Sequence, residues 1–196
     1  MLKMTPKQRS YRSLQRGFTI VELLIVIVVI GILAAITIVA YSGIQRSARN
    51  AQTASAIEAY KKGLMAYAVI NGAYPNYNWV CLGQGYPGGN CWYAENAAFS
   101  TALRTTMGST LPLAGVGGNA IGPGFTTSAG GGFTLDGVPT AMIFYTIDTT
   151  GDPNPKCPVG PIISGAGWPN FLTSDPVGAT SGGNECYIPL PDGTKL

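Results

Sequence analysis

The stretch FTIVELLIVIVVIGILAAITIVAY, residues 18–41, decides how this chain is organised. At 1.5 Å per residue it makes a helix of roughly 36 Å, enough to cross a bilayer core of about 30 Å. Lys3, Lys7, Arg9, Arg12 and Arg16 precede it, with no acidic residue among them. That charge bias predicts a cytoplasmic N-terminus. A secretory signal peptide would have a shorter apolar core, followed by a small-residue cleavage site. Here the apolar run is too long and passes straight into a second helical pattern.

A plain membrane anchor leaves Glu22 unexplained. A carboxylate at mid-span costs a few kcal/mol, and less near the end of the span, where it can reach the interface. No basic residue of the chain after residue 17 lies close enough in sequence to pair with it. A cut just before Phe18 would create an α-amino group. That amine could neutralise Glu22 of an adjoining copy.

The string Arg16-Gly17-Phe18-Thr19-Ile20-Val21-Glu22-Leu23-Leu24 resembles the class III signal of type IV pilins and pseudopilins. It has the basic leader, the glycine before the cut, the phenylalanine after it and the glutamate in the fifth mature place. The resemblance implies that a prepilin peptidase cuts between Gly17 and Phe18 and methylates the new Phe18 amine. It implies that Glu22 sets subunit register through that amine, and that the apolar helix leaves lipid for a filament core. Gly17 suits the cut, because a residue without a side chain lets a protease approach the backbone. Gly31 lets another helix come close in a membrane span, or marks a point where the helix loosens. Many relatives carry a proline further along; this chain has none between Ala34 and Ala40.

After Tyr41 the pattern turns amphipathic. Ile44, Ala48, Ala51, Ile57, Tyr60, Leu64 and Tyr67 recur at helical spacing and are expected on the core face. Arg46, Arg49, Gln52, Glu58, Lys61 and Lys62 are expected on the other. Asn71-Gly72 with Pro75 beyond is a helix stop. The Asn71-Gly72-Ala73-Tyr74-Pro75 exit is a second point of similarity to pilins and pseudopilins. The whole helix then runs from Phe18 to about Asn71, roughly 80 Å.

Beyond it, residues 76–93 read as a loop, and 94–107 as a short helix closed by Gly108. Residues 111–132 are rich in Gly, Ser, Thr and Pro and read as loop with one short strand. Residues 133–135, 140–147 and 185–190 read as strands. The expected fold class is α+β: a long N-terminal α-helix packed on a small antiparallel sheet. The domains are a leader at 1–17, an apolar helix at 18–41, an amphipathic half at 42–72 and a head at 73–196. An even number of cysteines, Cys81, Cys91, Cys157 and Cys186, behind an export-type N-terminus favours disulfides. The resemblance places a disulfide-bounded loop at the C-terminal end, which favours Cys81–Cys91 and Cys157–Cys186. The two other pairings remain open.

Composition narrows the function further. Of twelve basic and nine acidic residues, five basic ones fall in the leader, so the rest is slightly acidic. Direct nucleic-acid binding would want a basic stripe there. Histidine is absent, which excludes His-based triads, general bases and metal sites. No P-loop, Gly-x-Ser-x-Gly or paired-carboxylate arrangement stands out, so no enzyme and no cofactor are expected. Asp148, Asp152 and Asn154 gather oxygen donors that calcium prefers, although an Asp/Gly/Pro turn explains them as well. Tyr77, Trp79, Tyr86, Trp92 and Trp168 are candidate binding aromatics, with packing as the plainer explanation.

The expected function is a structural pilus subunit in a homo-oligomeric helical filament, serving adhesion, twitching motility or DNA uptake. The resemblance implies three partners: the prepilin peptidase, an assembly ATPase and an inner-membrane platform protein. It also implies a single-pass cytoplasmic-membrane precursor and a cell-surface product. A pseudopilin of a type II secretion system is the alternative, and a membrane-anchored enzyme a third. The mature chain is predicted to begin at Phe18. Mass spectrometry of its N-terminal peptide tests this; an intact Met1, or a cut after the apolar run, contradicts it.

Overall fold

The computed structural model describes residues 17–91, 93–117, 120–127, 134–135, 138–150, 157–159, 171–172 and 185–192. The chain divides into two compact units, Met1–Tyr41 and Ser42–Leu196. Helix α1, Ile20–Asn71, contributes to both.

In the first unit α1 begins at Ile20 and stays helical through Gly31. Its apolar side chains have no cover. Exposure ranges from 48% at Val29 to 83% at Ile20. This is the part of the chain long and apolar enough to cross a membrane, and none of it is buried within the molecule. A contiguous apolar surface of this extent has to be met by lipid or by protein.

The second unit builds its own core. Thr53, Ala56, Ile57, Tyr60, Leu64 and Ala68 form the buried face of α1, at the spacing of a helix stripe. Gly72, at φ 75°, ends the helix in the left-handed conformation that glycine adopts without penalty. Helix α2, Ala97–Met107, is capped by Asn96, whose side chain accepts from the Phe99 N–H at 2.9 Å. The described residues include seven short strands, the first lying before α2: β1 Val80–Cys81, β2 Gly124–Thr126, β3 Thr134–Leu135, β4 Val138–Pro139, β5 Met142–Thr146, β6 Phe171–Leu172 and β7 Glu185–Pro189. The larger sheet has the order β1-β2-β5-β7, antiparallel throughout. The smaller has the order β4-β3-β6, with β3 and β6 parallel. The architecture is α+β.

Alternation along β5 separates two clusters. Ile143 and Tyr145 join the main core with Ile57, Tyr60, Leu64, Phe99, Leu103, Phe125 and Ile188. Met142 and Phe144 point to the opposite face and cluster with Tyr187, Trp79 and Tyr93. Burial on both faces makes β5 the central strand, as its run of apolar residues suggests.

Three sequence expectations need correction. Ile44, Ala48 and Ala51 are exposed, not part of the core. Arg46 and Arg49, expected on the solvent face, are half-buried. The buried stripe begins at Thr53, one turn later and on another side of the helix. The expected row changes face between Ala51 and Ile57, six residues apart, and only its second part meets the core. Residues 76–93 also hold more than loop, since Val80–Cys81 pairs with β2.

The loop before β2 is stitched along α1. Tyr60 donates to the Pro112 carbonyl at 2.7 Å and Gln52 to that of Leu113 at 3.0 Å. Thr53 exchanges hydrogen bonds with the Gly115 backbone. A Cβ at Gly115 would lie 2.4 Å from the Arg49 carbonyl oxygen and 2.7 Å from its Cα. Both atoms are backbone and cannot turn aside. Gly115→Ala is therefore expected to destabilise the head by about 1–3 kcal/mol through overpacking. Urea unfolding followed by near-ultraviolet circular dichroism measures this, with Gly85→Ala as a control for an open position that is itself strained.

Candidate functional site

The first site is the start of α1. Gly17 has nothing within 4 Å of a notional Cβ, and Phe18 is 80% exposed. The backbone around the expected cut is thus open. Thr19 and Glu22 then close a capping box. The Thr19 backbone N–H donates to Glu22 Oε2 at 2.8 Å, and its hydroxyl donates to the same oxygen at 2.7 Å. The Glu22 backbone N–H donates back to Thr19 Oγ1 at 3.2 Å. Threonine at the N-cap and glutamate three residues later satisfy otherwise orphaned helix N–H groups. The carboxylate also lies at the positive end of the helix dipole.

Thr19-Ile20-Val21-Glu22 is a capping-box pattern, so the role of Thr19 is legible in the residues although charge placement does not show it. The geometry gives Glu22 a partner within its own chain. Among the described residues nothing reaches Oε1, so one oxygen remains able to accept a further donor. A chain with this start can hold one carboxylate at the head of an apolar helix without leaving it wholly unpaired.

The second site joins α1 to the turn after β5. Arg49 donates to Asp148 Oδ2 through Nη2 and also, at 3.1 Å, through Nε. The Thr150 N–H donates to Oδ1 at 3.0 Å. Asn50 brackets the Asp148 backbone: its Nδ2 donates to the carbonyl at 3.0 Å, and its Oδ1 accepts from the N–H at 2.9 Å. Arg46 donates to the Thr150 carbonyl at 2.7 Å. Burial alone would raise the Asp148 carboxyl, but hydrogen bonds from Thr150 and Arg49, with the guanidinium charge, hold it below the ordinary carboxylate value. Asp148 was a calcium candidate; its carboxylate faces a guanidinium. Asp152 and Asn154 lie outside the described residues. No group of three or more His, Cys, Asp or Glu that could hold a metal occurs among the described residues.

The cysteines form disulfides Cys81–Cys91 and Cys157–Cys186, with Cα separations of 6.0 and 5.9 Å. The first closes a loop held by Glu95, whose Oε1 accepts from the Gly85 and Tyr86 N–H groups at 2.7 and 3.1 Å. The second fastens β7 to residues 157–159, which also bond to Tyr145 of β5, its hydroxyl donating to the Val159 carbonyl. The candidate aromatics are packed: Tyr77 on Phe99 at 5.3 Å, Trp79 on Tyr93 at 5.2 Å and on Phe144 at 5.7 Å. Tyr86 is buried. Trp92 and Trp168 lie outside the described residues.

An apolar helix capped through Glu22 thus stands directly behind an open Gly17–Phe18 junction. Residues 12–38 match the family model described as the prokaryotic N-terminal methylation motif. Over 66 residues the chain is 36% identical to the fimbrial protein of Neisseria meningitidis serogroup A, covering 34% of this chain and 39% of that one. Identity is also 36% over 66 residues to the type IV major pilin protein PilE1 of Neisseria gonorrhoeae, covering 40% of it. The chain thus spans about two fifths of the length of these curated relatives. No solved structure matches it. The methylation motif is that of type IV pilins; by name one relative is a fimbrial protein and the other a type IV major pilin.

Removing the half-buried Arg49 guanidinium leaves the buried Asp148 carboxylate without its charged partner, which costs about 1–3 kcal/mol. Arg49→Ala is expected to destabilise the head by that order, and Asp148→Asn in the same chain to restore part of the loss. The Asp148 carboxyl is lowered in the folded state, so its contribution is present above the ordinary carboxylate value and fades as pH falls through the folded one. Thermal melts from neutral pH down to about pH 2 check this: the advantage of the parent chain over the double variant should shrink with acid.

Proposed function

We propose that the chain is the structural subunit of a type IV pilus. A prepilin peptidase cuts between Gly17 and Phe18 and methylates the Phe18 amine. The single-pass precursor waits in the cytoplasmic membrane with its N-terminus inside. An assembly ATPase, acting through an inner-membrane platform protein, then drives extraction into a helical filament of identical copies at the cell surface. The observation that carries this reading is the bare apolar surface of α1 from Ile20 to Ile38, charged only at Glu22 in its capped start.

Lipid covers that surface in the precursor, and copies of the same helix cover it in the fibre. Backbone hydrogen bonds are satisfied within the helix in either setting. Side-chain contact with lipid is exchanged for contact with helices. The leader has to go first, because its five basic residues, Lys3, Lys7, Arg9, Arg12 and Arg16, hold the N-terminus in the cytoplasm. The cut also supplies the amine that Glu22 of a neighbouring copy accepts. Glu22 exchanges a local partner, Thr19, for a charged one, which makes the stronger hydrogen bond. The head displays its disulfide-closed loops outward and carries no catalysis and no cofactor. Asp148 takes Arg49 as its counter-ion in place of calcium. Adhesion, twitching motility and DNA uptake are the roles such a fibre would serve.

Glu22→Ala is expected to be processed at Phe18 and stored in the membrane, but to yield few fibres. Electron microscopy of sheared surface material, beside mass spectrometry of the mature N-terminus, measures both. Normal fibre yield from this variant defeats the charge-pair step.

A further inference from the structure

Arg46 is the first charged residue of α1 after Glu22. Its guanidinium is half-buried and held in place by a neutral group, with Nη1 donating to the Thr150 carbonyl at 2.7 Å. That bond occupies a single N–H, and the rest of the fork is left for an anion. The neighbouring carboxylate is already engaged. Asp148 takes Arg49 on Oδ2 and the Thr150 N–H on Oδ1. Among the described residues Arg46 therefore has no anionic partner. No carboxylate of α1 comes near it either, since Glu58 lies twelve residues on, about 18 Å at helical rise.

Position in the chain says which anion it meets. Tyr41 closes the apolar run, and Arg46 follows five residues later, about 7.5 Å of helix. Outside its hydrocarbon core of about 30 Å a bilayer has a headgroup layer about 5–7 Å deep on each side. With the apolar run in the core, Arg46 leaves the helix just beyond that layer. Its Cα–Cβ bond tilts toward the helix N-terminus, hence toward the lipid, and a long basic side chain reaches back to an interface. Tyr41 and Ile44 precede it, 62% and 65% exposed. A tyrosine at this depth belongs to the interfacial belt of a membrane span. Ser42, Gln45 and Ser47 fill the remaining positions with polar, uncharged groups.

We propose that Arg46 is a lipid-headgroup site, its guanidinium binding the phosphodiester of an anionic phospholipid in the leaflet where the span ends. The proposal rests on the membrane-stored precursor and names what the chain meets first outside the hydrocarbon. Arginine suits the place better than lysine. A planar fork meets Thr150 with one nitrogen and a phosphate with the others, whereas an ammonium is a point charge. Through Thr150 the lipid contact reaches the turn after β5, which Arg49 and Asn50 also tie to α1. Extraction into a fibre has to break that contact.

The full-length chain is reconstituted with an environment-sensitive fluorophore on Ser47→Cys. The four native cysteines are held in disulfides and stay silent. Vesicles of phosphatidylcholine are compared with vesicles of equal parts phosphatidylcholine and phosphatidylglycerol. Emission is expected to shift to the blue and brighten by about twofold in the anionic vesicles, through attraction at the surface. Arg46→Gln should lose that difference and Arg46→Lys keep part of it. The leader is common to all three chains, so its charges cancel. Equal emission of the parent in both vesicles overturns the proposal without relying on any variant. So does an Arg46→Gln chain that responds as the parent does; if that chain also yields few fibres in its host, Arg46 serves a second copy instead. Inorganic phosphate that reproduces the shift in phosphatidylcholine vesicles overturns the lipid as ligand. A parent chain that floats with neither vesicle overturns the membrane reading and this site with it.

Discussion

From Ile20 to Ile38 helix α1 carries an apolar surface that none of the described residues covers. Every other feature of the N-terminal unit follows from that constraint. A helix is the one open-chain conformation that satisfies its own backbone where water is absent, so the segment has to be helical in lipid and in protein alike. Its one carboxylate sits at the helix start, where a threonine and the first-turn N–H groups can meet it. The same charge in the middle of the span would cost more and have no partner.

The head resolves the opposite problem. It needs a core that does not depend on the N-terminal unit, and α1 supplies one wall through Ala56, Ile57, Tyr60 and Leu64. Three polar residues a turn earlier, Arg46, Arg49 and Asn50, moor the turn after β5 to the same helix. Tyr60, Gln52 and Thr53 moor the loop before β2. With one side taken by core and moorings, the remaining face of α1 is left apolar, small and free of charge.

The link between packing and assembly lies in how differently those two faces can change. Substitutions on the core face alter head stability, since Ile57, Tyr60 and Leu64 are fully buried. Substitutions at Ala48 or Ala51 leave the head's contacts intact and alter only what can approach it.

Much of this was legible in the residues. The apolar run with its lone glutamate, the Gly17–Phe18 junction, the helix stop at Asn71-Gly72 and the principal strands around residues 142–146 and 185–189 depend on local chemistry, namely hydropathy, charge placement and turn propensity. These are properties of neighbours in sequence. The sequence also determined that the chain has two unlike parts. Only the tertiary structure decided which face of α1 is buried in the head, because segments more than fifty residues away dock against Thr53 and Tyr60. It alone paired Arg49 with Asp148 and gave the strand order β1-β2-β5-β7. Those outcomes are set by which distant segments reach the helix first with matching shape and hydrogen-bonding groups, and a periodicity read along the chain carries no information about partners that arrive from elsewhere.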